Sequence, residues 1–91
     1  MSEERVFNQF TTAMDISGIS PILYRINDFY EDAVCIISQG NVYEVINFER
    51  NYKYRIQTFK NQVVALVEVI HRVAIDEDTE SIAIQNFFSL I

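Results

Sequence analysis

Apolar residues recur at three- and four-residue steps near the start of the chain. Val6, Phe7, Phe10, Ala13 and Met14 fall on one side of a helix, with polar residues between them. Ser2 is placed to cap that helix, and Glu3 and Glu4 lie in its first turn, where the dipole favours acids. Gly18 supplies a stop and Pro21 prevents continuation. The period then changes. Residues 22–26 read as a short strand, followed by a polar turn at Asn27-Asp28. Residues 33–38 are almost uniformly apolar, which suits a central strand. Gln39-Gly40-Asn41 is a turn into a second long strand at 42–49. There Tyr43, Val45 and Asn47 alternate with Val42, Glu44, Ile46 and Phe48. Neither set is purely polar, so the pattern leaves open which face meets the helices. After a turn at Arg50-Asn51-Tyr52, residues 53–59 alternate, with Tyr54, Ile56 and Thr58 opposing Lys53, Arg55 and Gln57.

Asn61 is placed to cap a second helix, whose apolar stripe is Val63, Leu66, Val67, Ile70, Val73 and Ala74. The β-branched content of residues 63–70 leaves a strand open. Helix is favoured because the apolar stretch exceeds ten residues without alternating. An acidic break at 76–80 follows, in which Asp78 or Thr79 would cap a last helix with Ile84, Phe87, Phe88 and Ile91 on one stripe. The segment 87–91 must dock to hide its apolar surface, on its own domain or on a second copy. The predicted class is α+β: an N-terminal helix, an antiparallel meander of three to four strands, then two helices packed on the sheet. Residues 1–91 read as a single domain, with 76–91 as a C-terminal helical extension.

Composition narrows the function. With 49% hydrophobic residues and only two Gly and one Pro, the chain can build a core. The lone Cys35 permits no internal disulfide, and no charged-then-apolar leader follows Met1, so residence in the cytoplasm is expected. No apolar run approaches the roughly 20 residues needed to span a bilayer. Thirteen acids against seven bases give a net charge of −6. That balance argues against nucleic acid and anionic membranes and favours a basic protein partner.

Catalytic and cofactor chemistry finds no footing. Gly18 and Gly40 are too far apart for a phosphate loop. His71 has no Cys or His at ligand spacing and reads as a helix-end residue partnering backbone carbonyls. Cys35, amid Ala33-Val34 and Ile36-Ile37, reads as a buried structural thiol. No carboxylate pair is spaced for acid–base work across a cleft. The chain is therefore expected to be no enzyme and to bind no cofactor or metal.

Two regions could carry binding. One is the turn around Asp28, Phe29, Tyr30, Glu31 and Asp32, where aromatics and acids mix; alternatively, Phe29 or Tyr30 tucks into the core. The other runs from Glu44 past Glu49 to Tyr52 and Tyr54; alternatively, Glu49 and Arg50 pair locally with Lys53 or Arg55. The candidate partner-binding residues are Asp28, Tyr30, Glu31, Asp32, Glu44, Glu49 and Tyr52.

The order of elements carries a resemblance. Ala33-Val34-Cys35-Ile36-Ile37, then Val42-Tyr43-Glu44-Val45, then Glu49-Arg50-Asn51, then Phe59 and a helix with Ala65 and Leu66, resembles small immunity proteins of bacterial polymorphic toxin systems. Asn51 stands where that group usually has Gly, and residues 76–91 have no counterpart in it. The resemblance implies neutralisation of a cognate toxin domain by direct binding. The competing readings are a phage- or plasmid-encoded anti-defence inhibitor, and a small regulatory or structural subunit that homodimerises through its apolar tail.

Overall fold

The computed structural model describes residues 2–91. Helix α1 (Glu3–Ile16) leads through a one-turn 3-10 helix (Pro21–Leu23) into four strands, β1 (Tyr24–Ile26), β2 (Ala33–Gln39), β3 (Val42–Glu49) and β4 (Tyr52–Phe59). Helices α2 (Gln62–Val73) and α3 (Glu77–Leu90) complete the chain, and the fold is α+β as expected.

The α1 boundaries follow from the signals in its sequence. The Ser2 hydroxyl accepts from the Arg5 N–H at 3.2 Å. Beyond Ile16, Gly18 adopts φ +77°; its N–H donates to Asp15 O, and that of Ile19 to Met14 O. Those two bonds satisfy orphan carbonyls at the helix end and require the left-handed residue that glycine supplies. Residues 63–70 are helical, and Asn61 caps α2 through Val64 N–H at 3.0 Å.

The sheet departs from the expected meander. Its order is β1-β2-β3-β4, with β2, β3 and β4 antiparallel, but β1 runs parallel to β2. Pro21 starts a 3-10 turn, which shortens the expected strand at 22–26 to three residues. That brevity permits the parallel pairing. The chain must travel back only about 10 Å along three residues of strand, and six residues, 27–32, can span up to about 20 Å. The connection crosses one face of the sheet and seats Phe29 on Phe48 at 5.3 Å between ring centroids.

The three helices cover the other face, which carries Val34, Ile36, Tyr43 and Val45. The core joins these to Phe10, Met14, Leu66, Ile70 and Phe87, with Phe10 edge-on to both Tyr24 and Phe87. The alternation expected in residues 53–59 breaks at a bulge. Arg55 and Ile56 stand opposite the single residue Ile46, with Arg55 at φ +51°, so Tyr54 and Gln57 share the face of Asn47 and Val45.

Arg72 fastens α2 over this bulge. Its side chain is only 2% exposed; Nε donates to Glu68 at 2.8 Å, and the terminal nitrogens to Val45 O, Asn47 Oδ1 and Gln57 Oε1. Two further corrections concern helix ends. Asp76, rather than Asp78 or Thr79, caps α3 by accepting from Thr79 N–H at 2.7 Å. His71 lies 3.1 Å from the carboxylate of Glu80 on α3, where a backbone carbonyl was expected. The tail docks on its own domain, with Ala83 and Phe87 fully buried and Phe88 turned outward.

Candidate functional site

The two regions singled out as binding candidates meet in space, and Glu31 joins them. The two-residue turn between β3 and β4 places Arg50 and Asn51 at φ +51° and +65°. Positive φ at both positions is the type I′ geometry that matches strand twist. It turns the Arg50 and Asn51 N–H groups toward one point, and the Glu31 carboxylate accepts both, at 2.8 and 2.9 Å. Successive backbone N–H groups of this kind form a nest for an anion. Here the anion is the protein's own side chain, nineteen and twenty residues away in sequence.

Glu31 thereby acts as a clasp that fixes the 27–32 connection to the hairpin. On one side of the clasp lies a hollow of about 330 Å³ lined by Ile22, Leu23, Tyr30, Glu31 and Asp32. A second, of about 260 Å³, is lined by Glu49, Arg50, Tyr52 and Tyr54. Tyr52 is 74% exposed, Tyr30 44% and Tyr54 43%. Two of these rings are nevertheless oriented. The Arg25 guanidinium lies 4.1 Å from the Tyr30 ring centre, and the Tyr54 hydroxyl donates to Glu49 at 3.2 Å. The local pairing of Glu49 or Arg50 with Lys53 or Arg55 does not form. Lys53 instead lies over the Phe29 ring at 4.5 Å, on the opposite face.

Of the seven candidate residues, Tyr30, Glu31, Asp32, Glu49 and Tyr52 gather at this end of the sheet. Asp28 begins the connection, where its carboxylate accepts from the Phe29 N–H at 2.9 Å. Glu44 stands apart, half-buried in mid-β3 beside Ile37 and Thr58. Tyr54, at the end of the second candidate region, belongs to the surface, as do Ile22 and Leu23, which lie outside both regions. The short apolar run after Pro21 had been assigned to a strand, which hid its exposed position in a 3-10 turn.

The interior offers little chemistry. Burial pushes the Cys35 thiol above its usual value, which suits a packed, unreactive side chain. Burial likewise raises Tyr43, helped by the hydrogen bond from its hydroxyl to Glu3 at 2.8 Å. Among the described residues no group of His, Cys, Asp or Glu is arranged to hold a metal ion, and no helix is long and apolar enough to cross a membrane. No family model, curated protein or solved structure matches this chain.

Proposed function

We propose that this protein works by binding another protein, as an immunity-type inhibitor that neutralises a cognate bacterial toxin. One observation carries the reading: an exposed surface of aromatics and acids is tied together by the two hydrogen bonds of the Glu31 clasp. Tyr30, Tyr52 and Tyr54 provide large contact area with few rotatable bonds, the composition that dominates binding energy at protein interfaces. Asp28, Asp32 and Glu49 form no ion pair among the described residues, so they are available to a basic partner. Such acids steer encounter and fix orientation, while the tyrosines and the apolar Ile22 and Leu23 hold the complex. Because the clasp fixes the surface before the partner arrives, little ordering is needed on binding.

Co-expression with the product of the adjacent gene is the direct test. The expected result is relief of that product's toxicity and co-purification of a one-to-one complex. Combining Tyr30→Ala, Asp32→Asn, which keeps a residue tolerant of the positive φ there, and Tyr52→Ala should weaken the complex at least a hundredfold, since each removed anchor or charge contributes on the order of 1–2 kcal/mol. All three positions are exposed, so the variant should keep its circular dichroism and unfolding midpoint. Absence of any complex, or full protection by the folded triple variant, would refute the assignment.

A further inference from the structure

The net charge of −6 conceals an uneven distribution. Residues 50–60 contain Arg50, Lys53, Arg55 and Lys60 and no acid; all thirteen acids and the other three bases lie elsewhere. The fold makes this stretch one of the two outer strands of the sheet, β4, exposed from Tyr52 through Thr58. None of the four cations forms an ion pair among the described residues, although acids are in excess. An edge strand also presents a row of unpaired backbone N–H and C=O groups. On β4 that row runs beside exposed Tyr52, Tyr54 and Ile56.

Three kinds of occupant can be weighed against these features. A second copy pairing β4 with β4 would set like charges against each other. A nucleic acid would meet the cations but also the surplus acids of the remaining surface. An extended acidic peptide supplies both missing elements, backbone partners for the edge and carboxylates for the cations. We propose that β4 accepts an acidic, extended segment of a partner protein by strand addition, with Arg55 and Lys60 selecting for carboxylates. Main-chain hydrogen bonds would provide affinity, and the flanking side chains would provide choice. This edge adjoins the tyrosine surface described above, but the proposal does not depend on the toxin reading.

Fluorescein-labelled decapeptides test it directly: alternating Glu and Val, alternating Lys and Val, and the Glu–Val sequence with every backbone nitrogen methylated, with a ten-nucleotide thymidine oligomer alongside. The Glu–Val peptide should bind at least tenfold more tightly than the other three by fluorescence anisotropy, and more weakly as salt rises. Amide shifts and slowed hydrogen exchange should be confined to β4 and its flanks. Arg55→Glu combined with Lys60→Glu should reduce binding at least tenfold while the unfolding midpoint stays near that of the parent. Equal binding of the N-methylated peptide would overturn strand addition, since it has no backbone N–H to donate to a ladder. Tighter binding of the oligomer, or amide shifts centred on another surface, would overturn the choice of partner. Concentration-dependent dimerisation through β4 would do so too.

Discussion

Arg50 and Asn51 show how a side chain far away in sequence can hold an awkward backbone. For an L-residue the left-handed region costs on the order of 1–2 kcal/mol, less for Asn. Asn51 could be read as a turn residue because Asn tolerates positive φ; Arg50 carries no such signal. Glu31 reads as a partner-binding acid, and its role as a clasp could not be read, because nothing in the local pattern marks an acid as the acceptor for two backbone donors on another hairpin. Removing that acceptor leaves the strained turn with water as its only partner. Glu31→Ala is expected to lower stability by about 1 kcal/mol, discounted for exposure, and seen as a lower urea midpoint with an unchanged slope. Arg50→Gly keeps the N–H and relieves the backbone, so it should raise the midpoint. If both substitutions leave the midpoint where it was, the clasp contributes nothing to folding.

The elements that were legible are those whose periodicity or caps are strong: α1 with Ser2 and Gly18, α2 with Asn61, and the β2–β3 hairpin around Gly40. The strand direction of β1 was not, because a three-residue strand has no period to read and its parallel pairing depends on a six-residue crossover. The start of α3 slipped because Asp76, Asp78 and Thr79 are all good caps, and the choice is made by packing. Starting at Asp76 turns Ala83 and Phe87 inward onto α1. The same geometry separates two adjacent aromatics. Phe87→Ala should cost about 3–5 kcal/mol as a core cavity, whereas Phe88→Ala, at 53% exposure, should cost less than about 1 kcal/mol. Similar losses in thermal unfolding would mean that α3 is misplaced. The cap adds a pH dependence. The Thr79 N–H bond lowers the Asp76 carboxyl below its usual value, so the native state holds the charged form more tightly than the unfolded chain does. Its contribution is complete above the ordinary carboxylate range and fades as pH falls through the lower native value. The protection factor of the Thr79 amide, its exchange rate relative to an unstructured chain at the same pH, should fall over that acid window, and Asp76→Ala should remove the dependence.

For the whole molecule, the sum of charges was visible from the start but its arrangement was not, because a net figure averages an acidic body with a cationic strand. A window over residues 50–60 would have exposed the segregation; what it could not supply was the position of that strand at the sheet edge, which is a property of topology. The arrangement has an energetic consequence. Among the described residues one pair joins permanently charged side chains, Arg72 with Glu68, and His71 lies beside Glu80. The Arg72 pair is largely shielded from solvent and screened little, and the exposed His71 pair is weak. Most remaining acids therefore experience repulsion with little local compensation, a cost to the compact state that the expanded chain relieves. Salt should weaken that repulsion more than it weakens attraction. Raising sodium chloride from about 20 mM to 200 mM shortens the screening length from roughly 20 Å to below 10 Å, and is expected to raise Tm by a few degrees at pH 7. Lys60→Glu, which adds one more acid and removes a cation, should enlarge that increment. A Tm that falls with salt would instead mean that the cationic edge attracts the acidic body across the molecule more strongly than the acids repel one another.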